Sequence, residues 1–451
     1  MDGNYPSKWV NFGRQSTAPE PEAIRFEHHP SSLALLSRTE GPRSELYGPV
    51  RKDMADFITA FHADLHLGDP VGLMLTGLLG LTLLASLITG IVLHRKYLRE
   101  AFLFRPYRSF RLLLADAHKL MGLWILPFHV IFAFTGAFLG LAAVVLLPTA
   151  GYVSFNGDVA TMIDTFLPDS APERSGRSLD LRIAHVLESF QNADSAEVVS
   201  MTLLAADDQA GQLVLTTSAN QGMVGEIFRF QLHSGELVER YTAFSRLGEP
   251  AGTALDLMFP LHFGNFGGLL VKILWALLGL GTALLSLTGM LIWLERRQHG
   301  PTGRQSPAFY QRIADLVVGC CAGLILATGA LFPAQVVLMI SGDLAATVLA
   351  SVFFVSWSCA ILWSLIRRNA KSSLRGLLLL GGALHLIAVP MALYASYSPA
   401  VAAHVGTSWT VAGVNAALVI AGTILVSCAL WLPQLNRRVP RPSSLAPAGG
   451  H

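Results

Sequence analysis

The stretch TGIVLHRKYLREAFLFRPYRSFRLLLADAHKLMGLWILPFHVIFAFTG, residues 89–136, decides the fold of this chain. It connects two apolar segments through a strongly basic loop. The first segment, residues 70–93, carries no charge and is long enough, at about 1.5 Å per helical residue, to cross roughly 30 Å of hydrocarbon. We name it helix A, and we name the returning segment, residues 120–150, helix B. Pro127 is expected to kink helix B. The stretch therefore predicts a hairpin of two membrane helices.

Three histidines of this hairpin suggest a cofactor. His94 ends helix A, and His118 and His129 lie on the second helix. Imidazoles inside lipid are uncommon and usually functional. Apolar helices with facing histidines can bind the two axial positions of a haem, and Gly90 and Gly122 leave room for a porphyrin one turn away. The pattern favours a membrane b-type haem protein that transfers electrons.

The whole chain has the composition of a polytopic membrane protein. Of its 451 residues 52% are hydrophobic and only 14% are charged, with a mean hydropathy of +0.49. The basic residues lie at helix ends instead of forming one patch, which argues against a nucleic-acid partner. The four cysteines lie in apolar segments and show neither a disulfide framework nor a zinc spacing. The first fifty residues contain no signal peptide.

Five more apolar segments bring the predicted number of spans to seven. They are helix C at 273–294, followed by spans at 316–342, 344–366, 376–398 and 407–432. Lys and Arg flank alternate connections, which predicts that the loop between helices A and B and the C-terminal tail are cytoplasmic. The basic residues of that loop are Arg95, Lys96, Arg99, Arg105, Arg108, Arg111 and Lys119.

The polar block at residues 151–262 predicts a small α+β domain outside the membrane. An amphipathic helix at 178–191 precedes four strands, separated by turn residues. The strands are expected at 197–204, 212–217, 226–232 and 237–241. Residues 1–60 contain short alternating pieces, at 23–27 and 32–36, that are typical of the end of a similar domain.

A helix at 53–67 places His62 and His66 one turn apart, but without the glutamate of an HExxH motif a zinc site is disfavoured. An internal repeat offers a different interpretation. LHLG at 65–68 precedes helix A as LHFG at 261–264 precedes helix C, and LITGI at 87–91 matches LTGML at 287–291. Two related halves imply a pseudo-twofold axis along the membrane normal. His66 and His262 would then face each other across an outer haem, with His62 as the substitute ligand for His66.

The details of the outer site follow from this symmetry. Asp64 or a loop carbonyl is expected to hold the spare ring N–H of a ligand. Four glycines are expected to leave space for the porphyrin edge, namely Gly68, Gly264, Gly267 and Gly268. Lys272 is expected to reach the membrane surface or a haem propionate, and Asp116 to be solvated. An inner haem would use His94 and His118, with His129 as a further candidate.

Two less specific interpretations remain. The five histidines His66, His94, His118, His129 and His262 could instead form hydrogen bonds or a proton relay. The isolated His385 and His404 are interpreted as buried hydrogen-bonding or interfacial residues.

Several of these motifs together resemble a known family, the PepSY-associated transmembrane proteins, which include ferric-siderophore reductases and other iron-uptake membrane proteins. The motifs are ADLHLG at 63–68, TG at 89–90 with HR at 94–95, FRP at 104–106, HK at 118–119 with Gly122, LPFH at 126–129, and PLHFGN at 260–265 with GG at 267–268. The resemblance covers roughly residues 50–300. It implies a two-haem b-type core in a bacterial inner membrane, and it makes 151–262 a periplasmic PepSY-like domain.

One departure from the family concerns the N-terminus. The family begins with a further helix before a first PepSY-like domain, and this chain lacks that helix, so residues 1–60 are interpreted as the remnant of that domain. The expected organisation is an all-α membrane bundle with a PepSY-like α+β domain. Its parts are the remnant at 1–60, helices A and B within 61–150, the domain at 151–262, helix C within 263–298, four spans within 313–432 and a cytoplasmic tail at 433–451.

Two functions from different classes fit these expectations. The first is a haem oxidoreductase that takes electrons from an external donor, a quinol or a reductase, and reduces a ferric chelate on the outer side. No GxGxxG follows a strand in any inner loop, so the donor must be another molecule. The alternative is a non-catalytic envelope protein whose PepSY-like domain binds or restrains a partner such as a peptidase.

Overall fold

The computed structural model describes most of the chain. The described residues are 9–14, 22–28, 35–42, 53–93, 99, 101–105, 109–158, 161–162, 172–178, 183–193, 196–205, 208–219, 222–299, 306–341, 346–397 and 408–435. The chain divides into two compact units, Met1–Pro49 with His62–Gly289 and Val50–Phe61 with Met290–His451.

Helices A and B of the first unit pack closely through glycines. Helix A is α2, Val71–Leu93, after a short helix α1, Met54–Asp64. A Cβ on Gly77 would lie 2.7 Å from Leu141, and one on Gly80 would lie 2.7 Å from the backbone of Ala137. Such close backbone approach is how apolar helices associate in lipid, where the hydrophobic effect supplies no driving force.

Helix B is broken, not merely kinked. It consists of α3, Phe110–Trp124, and α4, Leu126–Leu141, which are bent by 72° at Ile125. Pro127 lies in the first turn of α4, where its missing N–H removes no helical hydrogen bond. The prediction that helix B begins at residue 120 was wrong, because the Ser109 side chain caps α3 at its N-terminus by accepting from the backbone of Leu112. A π-helical turn, Ala142–Leu146, and α5, Leu147–Phe155, continue from α4.

The extramembrane domain of the first unit has the predicted helix and antiparallel sheet. The helix is α6, Ile183–Ala193, and the strands are β4 Val198–Leu204, β5 Gln212–Thr217, β6 Ile227–Gln231 and β7 Leu237–Tyr241, paired in sequence order. Val186 and Phe190 of α6 are buried against Phe228 and Phe230 of the sheet. Apolar residues one turn apart on the helix and alternating along the strand therefore form one core.

Asp208 holds a loop against this sheet. Its buried carboxylate accepts hydrogen bonds from the hydroxyl of Ser175 at 2.6 Å and from the backbone N–H groups of Ser175, Gly176 and Ala210. These bonds stabilise the charged form and hold the pKa of Asp208 well below its usual range.

Three strands near the N-terminus form a second antiparallel sheet. They are β1 Trp9–Arg14, β2 Glu22–His28 and β3 Leu35–Pro42, in the order β1-β2-β3. The sequence predicted only β2, at 23–27, and β3, at 32–36. Strand β3 begins at Leu35, three residues after its predicted start.

Two short helices lead from the domain back to the membrane. After a 3₁₀ turn at Ser245–Leu247 come α7, Ala251–Asp256, and α8, Met258–Phe263. Helix C follows as α9, Gly268–His299, which is longer at both ends than the predicted 273–294.

The second unit contains four long helices: α10 Pro307–Ser341, α11 Ala346–Arg367, α12 Ala370–Ala395 and α13 Ser408–Leu435. In the core of this unit, Phe57 and Phe61 of α1 pack against Phe353 of α11. Within the described residues six helices are long and apolar enough to cross a membrane, and the bent pair α3–α4 makes a seventh if it counts as one span. The predicted fold class, a helical membrane bundle with a small antiparallel sheet region, is therefore confirmed.

Candidate functional site

The outer site contains His262 of α8 and His62 of α1. The centroids of their rings lie 6.1 Å apart, with an angle of 37° between the ring planes. Two imidazoles that share one iron at about 2 Å from each nitrogen have ring centroids about 6 Å apart. The spacing of this pair fits the two axial positions of a haem.

Thr135 of α4 determines which nitrogen of His262 is free to bind a metal. The Thr135 hydroxyl donates to the carbonyl of Ile131 at 2.7 Å and lies 3.0 Å from Nδ1 of His262. Because the hydroxyl proton is already used, the hydroxyl oxygen accepts a hydrogen bond from Nδ1–H. Nε2 then carries the lone pair, and within the described part of the chain it has no hydrogen-bond partner. This arrangement orients a ligand histidine as an outer-shell partner does in metal sites.

The surroundings keep His262 neutral. Its ring stacks on Phe132 at 4.9 Å and 21°, and its Cε1 lies 3.3 Å from the position of a Cβ on Gly136. Helix α8, which carries His262, is not one of the membrane-spanning helices. Burial, together with the charge of the neighbouring His62, lowers the pKa of His262 to about 4. An uncharged imidazole is the form that binds a metal.

His66 lies beyond the end of α1. It adopts a left-handed backbone with φ of 57°, its side chain is exposed, and its backbone N–H donates to Asp64 Oδ1 at 2.8 Å. The ring beside His262 is that of His62, which the sequence offered only as the substitute ligand. Thr135, and neither Asp64 nor a loop carbonyl, holds Nδ1 of His262.

The glycines after α8 shape a turn. Gly264 and Gly267 have φ of +62° and +72°, which favours glycine over any other residue. A Cβ on Gly264 would lie 2.8 Å from Trp275, and one on Gly267 would lie 2.6 Å from Val271, so neither leaves the expected space for a porphyrin. Open space exists at Gly68 and Gly268. Lys272 binds the turn by donating to the carbonyl of Phe263 and to Asn265.

The inner site contains His118 of α3, which is held by α9. Its Nδ1 lies 3.1 Å from the carbonyl of Leu285 and 3.1 Å from the Thr288 hydroxyl. Its Cε1 lies 3.2 Å from the position of a Cβ on Gly289. The carbonyl can only accept, so Nδ1 carries the proton and Nε2 is the free nitrogen, with no hydrogen-bond partner among the residues described here.

His129 is placed differently, because both of its nitrogens have protein partners. The side chain is fully buried, with Nδ1 2.9 Å from the Thr282 hydroxyl and Nε2 3.3 Å from the carbonyl of Met121. The arrangement is that of a buried hydrogen-bonding histidine. The 72° bend also means that His118 and His129 do not lie on one straight helix.

The remaining inner-site predictions are resolved only in part. His94 lies outside the described residues. Gly90 has open space around its Cα, as expected, whereas a Cβ on Gly122 would contact Leu285 at 3.4 Å.

Asp116 is fully buried, so the prediction that it is solvated was wrong. It accepts from the backbone N–H, Nε and Nη2 of Arg105 at 2.8–3.0 Å and pairs with Lys119 at 3.3 Å. The ion pair with Asp116 holds Arg105 against α3.

The two sites lie at different positions along α9. Trp275 donates to the carbonyl of Leu261, next to His262, and Thr288 contacts His118. These two contacts are thirteen residues apart, or about 20 Å along a helix axis. Two separate cofactors therefore fit this spacing better than one.

Sequence reasoning missed the partners of the histidines. The residues that hold His262 and His118 are the dipeptides Thr135–Gly136 and Thr288–Gly289, in which the hydroxyl binds Nδ1 and the glycine makes room for the ring. The same dipeptide at 89–90 and 288–289 supported the repeat, so the signal was present but was interpreted only as symmetry.

Comparisons with known proteins agree with this architecture. Residues 5–296 match the family model for the PepSY-associated TM region. The chain is also 31% identical over 343 residues to an uncharacterized protein of Pseudomonas aeruginosa, an alignment that covers 72% of this chain and 84% of the relative. The match spans both histidine sites and the extramembrane domain, and the chain belongs to the family of PepSY-associated transmembrane proteins.

Proposed function

We propose that this membrane protein is a b-type haem oxidoreductase that passes electrons across a bacterial inner membrane and reduces ferric chelates such as ferric siderophores. The observation that supports this most is the His62–His262 pair, whose 6.1 Å spacing matches two axial ligands of one iron. A single histidine at either position would fit an interfacial residue as well as a haem ligand, so the proposal rests on the spacing of the pair.

The outer haem would be held by His62 and His262. When bound, it supplies a one-electron carrier that alternates between ferric and ferrous iron. Thr135 fixes the tautomer of His262, and Phe132 fixes the plane of its ring. The side chains thus present a neutral Nε2 before any cofactor binds, which lowers the entropy lost on binding.

The inner haem would be held by His118 and, following the sequence prediction, by His94. Leu285 and Thr288 orient His118 through Nδ1, as Thr135 orients His262. His129 is assigned a structural role, because ligation would require it to give up a hydrogen bond inside the bundle.

The direction of transfer is proposed from charge. Because basic residues flank the start of α3, we assign this end to the cytoplasm. The extramembrane domain and the His62–His262 pair are then assigned to the periplasmic side, and the C-terminus to the cytoplasm. A chelate too large to cross the membrane would be reduced there. The electron donor is a separate molecule, a quinol or a reductase.

The experiment compares wild-type protein with His262→Ala, using His233→Ala as a control at an exposed turn of the domain. Haem per polypeptide is measured, and the dithionite-reduced protein is mixed with ferrioxamine while its reoxidation is followed. We expect about two haems in the wild type and the control, and about one in His262→Ala, with reoxidation at least about tenfold slower. A colourless wild-type protein would contradict the proposal and favour the non-catalytic envelope protein.

A further inference from the structure

A third histidine, His385 of α12 in the second unit, has the same kind of setting as His262 and His118. Its Nδ1 lies 2.8 Å from the carbonyl of Gly381, one turn earlier in the same helix. A Cβ on Gly329 of α10 would lie 2.8 Å from both Cε1 and Nδ1 of the ring. Thr328 precedes Gly329, so a Thr–Gly dipeptide again provides the glycine that accommodates an imidazole.

The hydrogen bond to Gly381 leaves one nitrogen available. A carbonyl accepts and cannot donate, so Nδ1 carries the proton and Nε2 the lone pair. In the described part of the bundle no group donates to Nε2, and this nitrogen is not fully enclosed, so the exposed 8% of the residue surface leaves it within reach of a ligand. An unpaired acceptor is unfavourable in an apolar environment, so this nitrogen suits a ligand that donates a hydrogen bond.

The neighbouring groups limit what that ligand is. The Phe332 ring lies 5.5 Å from the imidazole, and Pro333 has no N–H to donate to the carbonyl of Gly329. No cluster of three or more His, Cys, Asp or Glu side chains that could hold a metal ion occurs in the described ranges. A metal ion at Nε2 would therefore lack further protein ligands of these types. A flat, apolar molecule with hydroxyl donors fits better.

The membrane is the natural source of such a molecule. Helix α12 carries exposed apolar side chains next to His385 in sequence, including Ile387 at 52% and Leu380 at 54% exposure. In a chain with six or seven candidate spans these surfaces face lipid. A lipid-soluble ligand can reach α12 from the bilayer.

We propose that His385 is the hydrogen-bond acceptor of a binding site for a membrane hydroquinone, whose hydroxyl donates to Nε2 while its ring packs against Phe332. The inference builds on the proposed function by naming the class of its electron donor.

The test uses full-length protein in detergent and decylubiquinol as the probe, with binding followed by quenching of tryptophan fluorescence under anaerobic conditions. The variants are His385→Ala, which removes the acceptor, and His385→Gln, which keeps an acceptor oxygen. We expect saturable binding by the wild type, about tenfold weaker binding by His385→Ala and near wild-type binding by His385→Gln. His233→Ala should bind as the wild type does.

Several outcomes would overturn the site. Equal affinity of the wild type and His385→Ala would do so, as would only non-saturable partition of the probe. Loss of haem from His385→Ala would show that His385 ligates iron instead. If His385→Ala does not fold, equal affinity of the wild type and Phe332→Ala would reject the site. Because binding is read without haem, a colourless protein that still binds decylubiquinol would reject the proposed function and leave the quinol site intact.

Discussion

At the residue scale, the account depends on small side chains that orient the histidines. Thr135 and Thr288 each place an oxygen about 3 Å from Nδ1, and a glycine follows each threonine. The sequence identified His262 and His118 but not these partners, because a hydroxyl that also bonds to its own helix looks like any threonine in an apolar helix. It also gave Asp116 the wrong environment, since nothing local indicated that Arg105 folds back onto it.

Thr135→Val is the most specific test of this orientation. Valine keeps the shape of threonine but cannot accept from Nδ1–H, so His262 loses its orienting bond and haem affinity should fall about 10- to 100-fold. Haem retention is measured by titration with apomyoglobin as the competing haem acceptor. Thr242→Val, in the extramembrane domain, is the control for a general loss of stability. Unchanged haem affinity in Thr135→Val would show that the hydroxyl does not orient the ligand.

The pKa of His262 predicts a pH dependence. The group titrates at about 4 in the folded protein and near 6.5 when unfolded, so between these values the unfolded chain binds more protons. The contribution of neutral His262 to the free energy of unfolding is therefore complete above about pH 6.5 and is lost as the pH falls towards 4. Because His262 is only partly buried, solvent screening reduces this loss to less than about 3 kcal/mol.

His262→Gln should remove this contribution. Thermal unfolding is measured for both haem-free proteins from pH 7 to pH 4. The stability of the wild type is expected to fall more steeply than that of the variant over this range. Parallel curves would mean that His262 is not buried as described.

At the element scale, the sequence predicted the extramembrane domain best. The bounds of β5 and β7 agree with the predicted strands, because turn residues flank short alternating runs. Helix B was predicted less well, since a proline indicates a kink but does not indicate an angle as large as the observed 72°.

The packing of α2 on α4 can be tested with two glycines. A Cβ on Gly140 would lie 2.7 Å from the Cα of Gly77, whereas one on Gly279 of α9 meets nothing within 4 Å. Gly140→Ala should therefore destabilise the protein by about 1–3 kcal/mol through overpacking, while Gly279→Ala should be neutral or slightly stabilising. The melting temperatures of both variants in one detergent provide the measurement. A Gly140→Ala variant as stable as Gly279→Ala would contradict the close helix contact.

At the scale of the whole molecule, the first unit carries both sites of the proposed electron path. The sequence predicted an outer and an inner site, and the contacts of these two sites on α9 lie about 20 Å apart along the helix. The repeat also paired His66 with His262. It did not predict the choice between His62 and His66, because α1 ends at Asp64 instead of continuing to residue 67, so that His66 follows it in a left-handed backbone.

The most direct measurement is the dithionite-reduced minus oxidised absorbance spectrum of the purified protein and three variants, His62→Ala, His66→Ala and His262→Ala. The wild type is expected to show b-type haem bands. His62→Ala and His262→Ala should lose the same component, about half of the signal, and His66→Ala should keep it. Full retention of the signal in both His62→Ala and His262→Ala, or a wild-type protein without haem bands, would contradict the account.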